Sequence, residues 1–287
     1  MLIDTHCHIH EASYPLDAGD VLQHARSNGV EKLICVGTNM QSSREALTFA
    51  AAHERVFASI GVHPHDVKDG YEEIKDLLLA GPVAESAPDF RSITNAKSGA
   101  APLGATRGDQ SRLVAIGEIG LDYFYTHSPR QLQIKALQVQ IELALAHDLP
   151  IIFHVRDASS PEQRGSVWRD FWPILDNYQG IRGVLHSFSD TQANLDEALR
   201  RGLYIGVNGI STFTKDAAQQ RMFAQIPLEK LLLETDAPFL TPVPLRGNVN
   251  EPAFVRQVAE HHATIRGLTL DDIATATSTN AHALFAL

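Results

Sequence analysis

The sequence predicts a single (β/α)8 barrel. Eight short apolar runs recur along 287 residues, longer segments with helical spacing separate them, and ionisable residues gather at the C-terminal ends of the runs. Strands alternating with helices imply a parallel sheet, and eight strands are the number that closes such a barrel. The length agrees, because barrels of this kind need about 250 residues.

The runs span residues 2–6, 32–36, 56–62, 113–118, 150–154, 183–186, 203–207 and 230–236. Short runs rich in Val and Ile read as strands buried on both faces. Among the intervening segments, Arg130 to His147 is the clearest helix. It follows Ser128-Pro129 and places Leu132, Ala136, Val139, Leu143 and Ala146 on one stripe. Asp190 is the expected N-cap for a helix over 191–201, with Gly202 as its stop. Segments 41–53, 66–79 and 214–225 fill similar slots, and helices near 252–266 and 270–286 complete the chain. Gly81 to Arg112 departs from this rhythm. It is rich in Gly, Ala, Ser and Pro, lacks periodicity, and reads as a flexible insertion between the third helix and the fourth strand. Loops on that side lie opposite a barrel's active site, so deleting Ser86 to Gly108 is expected to leave activity intact. The whole of 1–287 is expected to form one domain.

Composition narrows the function. Apolar residues make up 44% of the chain and charged residues 20%, the balance of a soluble globular protein. A formal net charge of −10 excludes a broad basic footprint for duplex DNA. Cys7 and Cys35 are too few for a disulfide framework. The first residues lack a basic stretch and a long apolar run, and nothing approaches the ~18 apolar residues of a membrane span. The expected location is the reducing cytoplasm, with no membrane and no obligate protein partner.

The chemistry lies in the placement of the fourteen histidines and a few acids. His6 and His8 end the first run, His63 the third, Glu118 the fourth, His154 the fifth, His186 the sixth and Asp236 the eighth. In a barrel these ends converge on one mouth. His6 and His8, two apart, project to the same side of their strand, whereas Cys7 points away and is expected to pack. Imidazoles and carboxylates together suit divalent Mg, Mn, Zn, Fe or Co. Six candidates, His6, His8, Glu118, His154, His186 and Asp236, exceed the needs of one tetrahedral ion, so two ions with Glu118 as a bridge are expected. Asp236 is either a ligand or the base that deprotonates the attacking water. His10, His24, His53, His127, His147, His261, His262 and His282 read as surface or local packing, and His65 as a possible lining of the mouth.

At this point the residues resemble a known family. Asp4-Thr5-His6-Cys7-His8, Gly61-Val62-His63-Pro64-His65, Gly117-Glu118-Ile119-Gly120-Leu121-Asp122-Tyr123, Phe153-His154-Val155-Arg156-Asp157-Ala158, Leu185-His186-Ser187-Phe188-Ser189 and Glu234-Thr235-Asp236-Ala237-Pro238 look like the signatures of the TatD family of metal-dependent deoxyribonucleases. The resemblance implies one metal held by His6, His8, Glu118 and Asp236, and a second held by Glu118, His154 and His186. It implies a DNA substrate trimmed from the 3′ end, with some members linked to DNA repair or to fragmentation during cell death. Other members act on different esters, including mischarged aminoacyl-tRNA. Two positions depart from the family outline. Leu245 stands where an aromatic residue or His is more usual, and Asn248 where Lys or Arg is common. Leu245 cannot stack on a base, and Asn248 removes a phosphate-attracting charge.

For substrate contacts the candidates are His63, His65, Arg156 and Arg246. Either arginine would grip a phosphate in bidentate fashion, or would pair with a nearby acid, Asp157 or Glu251. Phe124, Tyr125 and Phe213 offer faces for unpaired bases, or cover loop core. Three functions stay open on sequence alone: a metal-dependent deoxyribonuclease acting on single-stranded or frayed DNA, a hydrolase of a carboxyl ester, amide or aminoacyl-tRNA ester at the same site, and a non-catalytic binding protein.

Overall fold

The computed structural model describes residues 1–79, 112–125 and 127–287. The insertion over 81–112 falls outside these residues except for Arg112. In chain order the elements are β1 (Leu2–Cys7), α1 (Ala18–Ser27), β2 (Val30–Val36), α2 (Met40–Ala52), β3 (Val56–Ile60), α3 (Ile74–Leu79), β4 (Leu113–Asp122), α4 (Arg130–Ala146), β5 (Ile151–Arg156), α5 (Ser166–Asp176), β6 (Gly183–Leu185), α6 (Gln192–Arg200), β7 (Tyr204–Val207), α7 (Ile210–Phe213), α8 (Ala217–Gln225), β8 (Leu231–Leu233), α9 (Val255–Arg266) and α10 (Leu270–Phe285). The strands pair in parallel in sequence order from β1 to β8. This is the (β/α)8 barrel the alternation predicts.

The seam between β8 and β1 is closed largely by side chains and loop backbone. Asp4, fully buried, accepts from Thr235 N (2.9 Å) and Thr235 Oγ1 (2.6 Å). Thr5 Oγ1 donates to the Leu233 carbonyl (3.0 Å), Asp236 N to the His6 carbonyl (2.8 Å), and His8 N to the Ala237 carbonyl (2.8 Å). The segment carrying Asp236 is thereby tied directly to the one carrying His6 and His8. At the opposite end of the barrel, Ala281, Leu284 and Phe285 of α10 pack on Ile3, Val114, Ile152, Val184 and Leu232, which lie near the starts of their strands or within short β8. Burying a side chain the size of Leu284 or Phe285 contributes about 1.5–3 kcal/mol. The last helix thus plugs the barrel bottom, leaving the mouth for chemistry.

Several boundaries differ from the expectations. Glu118 does not end its strand: β4 runs four residues further, to Asp122, past a register irregularity between Ile116 and Ile119. There Gly120, at φ +156°, sits so close to β5 that a Cβ would fall 1.8 Å from the His154 carbonyl oxygen, so a side chain is excluded. Segment 66–79 holds a 3-10 turn over Val67–Asp69 and then α3, and in 214–225 the helix, α8, begins only at Ala217, after the short α7 has ended at Phe213. Thr191, not Asp190, caps α6; its side chain accepts from Asn194 N (3.4 Å), while Asp190 accepts from Trp168 Nε1 (2.9 Å).

The buried face of α4 is also rotated from the expected stripe. It consists of Gln133, Ala136, Leu137, Gln140, Ile141 and Ala144. The two glutamines are inside because they satisfy backbone groups that the strands leave unpaired. Gln133 Oε1 accepts from Asp122 N (2.8 Å) and its Nε2 donates to the Asp122 carbonyl (3.1 Å). Gln140 does the same for Val62, at 2.7 and 3.1 Å. Buried peptide groups need such partners, so one helix fixes the chain at the ends of β3 and β4.

Candidate metal centre

The C-terminal ends of β1, β4, β5 and β6 and the segments after β3 and β8 bring His6, His8, His63, Glu118, His154, His186 and Asp236 to one point. Glu118, almost fully buried, lies at the centre. Its Oε2 is 3.3 Å from His6 Nε2 and 3.9 Å from His8 Nε2. Asp236 Oδ1 faces the same two nitrogens at 3.6 and 3.4 Å, and these nitrogens are 3.1 Å apart. The other carboxylate oxygen, Oε1, faces His154 Nδ1 at 2.8 Å, His186 Nε2 at 3.0 Å and His63 Nε2 at 3.6 Å. Donor atoms therefore form two groups, one about each oxygen of a single carboxylate.

Around these lie carboxylates and carbonyls that aim the rings. His8 Nδ1 meets the Val36 carbonyl (2.9 Å), His186 Nδ1 faces Glu234 Oε1 (3.4 Å), and His154 Nε2 meets Asp122 Oδ2 (3.0 Å). His65 Nε2 reaches the same Asp122 oxygen at 3.0 Å. Fixing the remote nitrogen of an imidazole in this way sets its tautomer and orients the nitrogen that faces the centre. Asp122 and Glu234 sit within quoted motifs but carry no role in the sequence reading. Both lie near a histidine only in three dimensions, though the last residue of a strand beside a ligand-bearing neighbour is a usable signal for Asp122.

The electrostatics fit a divalent cation. Burial opposes ionisation of Glu118, yet His186, His63 and His6 together hold its carboxyl well below the usual range. Burial likewise opposes charge on Asp236, but its hydrogen bond with His8 and the nearby His186, His6 and His8 together outweigh that and hold its carboxyl below the usual range. Against its own burial, His8 is pushed up to about 9 by Asp236 and Glu118. Burial and His186 lower the pKa of His6, and its Nδ1 has no partner. Two buried carboxylates thus rely on imidazoles alone for countercharge among the described residues. Buried charge of one sign needs pairing or a metal, and His-carboxylate donors at these spacings suit one. By distance alone, His6, His8 and Glu118, or His63, Glu118 and His154, or His6, His186 and Glu234, could each hold an ion.

The rim differs from expectation in three ways. Arg156 is the last residue of β5 rather than beyond it, and its guanidinium lies over Phe124 and Tyr125, 4.6 and 5.0 Å from the ring centroids. Arg246 lies over Phe213 at 4.1 Å and donates to the Thr241 carbonyl (2.8 Å). Neither takes the nearby acid: Asp157 accepts from Gly165 N and Val167 N instead, and Glu251 pairs with His24 at 2.9 Å. Phe124 and Tyr125 are about two-fifths exposed rather than covers for a loop core, and Phe239, which the sequence reading passed over, is 61% exposed three residues after Asp236. His10 and His262, expected at the surface or in local packing, are buried, His262 completely. Cys7 is buried in the main core, as expected.

A parallel eight-stranded barrel with such a donor set at its mouth defines the metal-dependent hydrolase class. Within it the chain belongs to the family described as TatD related DNase, which it matches over residues 3–286. It is 32% identical to the uncharacterized metal-dependent hydrolase YabD of Bacillus subtilis, over 99% of each chain. It is 31% identical to the 3′-5′ ssDNA/RNA exonuclease TatD of Salmonella typhimurium, over 99% of this chain and 98% of that one. Among solved structures, the TatD homolog YJJV of Escherichia coli superposes with a TM-score of 0.80 at 27% identity, over 100% of this chain and 98% of that one. Among the described residues, no helix is long and apolar enough to cross a membrane.

Proposed function

We propose that this protein is a two-metal nuclease that trims single-stranded or frayed DNA from the 3′ end. The observation that carries the reading is the division of Glu118, with Oε2 toward His6 and His8 and Oε1 toward His154 and His186. One site is assigned to His6, His8, Glu118 and Asp236, the other to Glu118, His154 and His186. The name of the Salmonella relative supports the single-stranded substrate and the polarity.

Bound divalent ions would supply Lewis acidity at the phosphoryl oxygen and lower the pKa of a water. The chain supplies the rest. Asp236, kept ionised by His8, accepts the proton of the attacking water. Arg156 grips a phosphate, its plane set in advance by Phe124 and Tyr125. It borders a small cleft shared with Asp157, Trp168, Ser189, Asp190 and, from the centre, His186. Arg246 acts likewise beyond β8. His65 contributes from behind, through Asp122, to the placement of His154. Phe239 lies after β8 and Tyr125 after β4, on opposite sides of an eight-stranded ring, and their exposed faces suit unpaired bases.

The test is metal-stripped protein incubated with 5′-labelled single-stranded DNA, with and without Mg2+ or Mn2+. A metal-dependent ladder of shortened products is expected. Retained metal without cleavage would sink the nuclease reading and direct the search to carboxyl esters, amides and aminoacyl-tRNA.

A further inference from the structure

The histidines around Glu118 do not all present the same kind of nitrogen to it. A peptide carbonyl only accepts a hydrogen bond, and a peptide N–H only donates. His8 Nδ1, 2.9 Å from the Val36 carbonyl, therefore carries the proton in the neutral ring, and Nε2 turns a lone pair to the centre. His186 has Glu234 Oε1 3.4 Å from Nδ1 and Glu118 Oε1 3.0 Å from Nε2, so its Nε2 is the nitrogen that would meet a cation at the centre. His154 has a carboxylate at each nitrogen, Asp122 at Nε2 (3.0 Å) and Glu118 at Nδ1 (2.8 Å), so with a cation bound it would keep Nε2–H on Asp122 and give the Nδ1 lone pair to the metal. Each can offer the nitrogen nearest Glu118 to a cation while the other nitrogen carries the proton.

His63 is reversed. Its Nδ1 accepts from His65 N–H at 3.1 Å. The local sequence explains this: Pro64 has no N–H, so the first donor after His63 is that of His65, whose own position is fixed by Asp122. A neutral His63 ring must then carry its proton on Nε2, the nitrogen facing Glu118. At 3.6 Å from Oε1 this N–H is beyond hydrogen-bonding range. The donor is left unspent, on a side chain that is 11% exposed at the mouth.

We propose that His63 is not a metal ligand but a neutral hydrogen-bond donor, presenting Nε2–H to a phosphoryl oxygen of the substrate. The identity of the acceptor rests on the phosphodiester reading above; the tautomer and the exclusion from the metal shell do not. A fixed N–H aimed at developing oxyanion charge is worth on the order of 10²-fold in kcat.

Two measurements test it. In the 113Cd-loaded protein, long-range 1H–15N spectra are expected to show His63 protonated at Nε2 and without cadmium coupling, while His8, His154 and His186 couple. His63→Ala is expected to keep the wild-type metal content and lose about 10²-fold in kcat with little change in KM, and His63→Gln, which retains an N–H donor, to recover part of it. Cadmium coupling to His63, or loss of one equivalent of metal from both variants, would overturn the proposal. Wild-type protein inert on every DNA would overturn the phosphoryl acceptor, leaving the spectra to decide between donor and ligand.

Discussion

Oε1 of Glu118 lies 2.8 Å from Nδ1 of His154, and it is the same atom that meets His186 Nε2 at 3.0 Å. Glu118→Gln replaces one carboxylate oxygen by an amide NH2, so only one of the two donor groups keeps an acceptor oxygen, and that oxygen carries no charge. The variant is expected to lose at least one equivalent of metal and to show no activity above background, while its circular dichroism stays that of the native barrel. Elemental analysis decides the matter: a variant with full metal content and wild-type turnover would disprove the bridge.

Glu234 and Asp122 are expected to matter nearly as much, although neither is placed in either ligand set. Asp122 hydrogen-bonds the remote nitrogen of His154, and Glu234 faces that of His186 at 3.4 Å. Removal of such partners typically lowers metal affinity or activity 10- to 100-fold. Glu234→Gln and Asp122→Asn should fall in that range when metal affinity is titrated by competition with a chelating dye. Gly206→Ala should imitate the first, because a Cβ there would sit 2.3 Å from Glu234 Oε2. Affinities within twofold of wild type would mean that the rings are held by packing alone.

Much of this architecture was legible in the sequence because buried parallel strands are continuous apolar runs, and their ends share one mouth. What was not legible depends on distance in space. Gln133 and Gln140 break the apolar stripe of α4 yet are buried, since the groups they satisfy belong to β4 and to the turn after β3. Helices α1 and α5 escaped notice; α5 carries Pro173 inside it, and α1 is only ten residues long. Asp4 resembles any strand polar residue until Thr235, on the far side of the chain, is seen to close the barrel on it. Phe239 reads as one more apolar residue in a loop, and only its exposure shows that it is unused by the core.

That exposure leads to a test of substrate. Stacking an aromatic side chain on an unpaired base is worth about 1–3 kcal/mol, which is roughly 5- to 150-fold in an equilibrium constant. Phe239→Ala should weaken single-stranded DNA binding within that range and Phe239→Tyr should not, with fluorescence anisotropy as the readout, in metal-stripped protein if cleavage interferes. Small chromogenic esters, which offer no base, should be indifferent to either change. Equal binding by both variants would remove Phe239 from the substrate path.

Far from the mouth, His262 makes folding stability depend on pH. It is fully buried on α9, with Nε2 3.1 Å from Ser211 Oγ of α7 and its ring edge-on to Phe223 of α8. Burial first, then Arg266 and His261 on its own helix, hold its pKa well below 6.5. The sign follows directly. The unfolded chain takes up a proton at His262 as pH falls through about 6.5, whereas the folded chain does not, so the unfolded state binds more protons and stability falls with pH. The contribution is fully present above pH ~7 and is lost at about 1.4 kcal/mol per unit below the unfolded pKa. In urea unfolding between pH 7 and pH 5 the wild type should lose stability more steeply than His262→Gln, which does not titrate, by about this slope, even if the variant is about 1–3 kcal/mol less stable at pH 7. Because every other histidine is common to both proteins, the difference between the two curves isolates this residue. Parallel curves would mean that His262 takes up its proton in the folded state as readily as in the unfolded one.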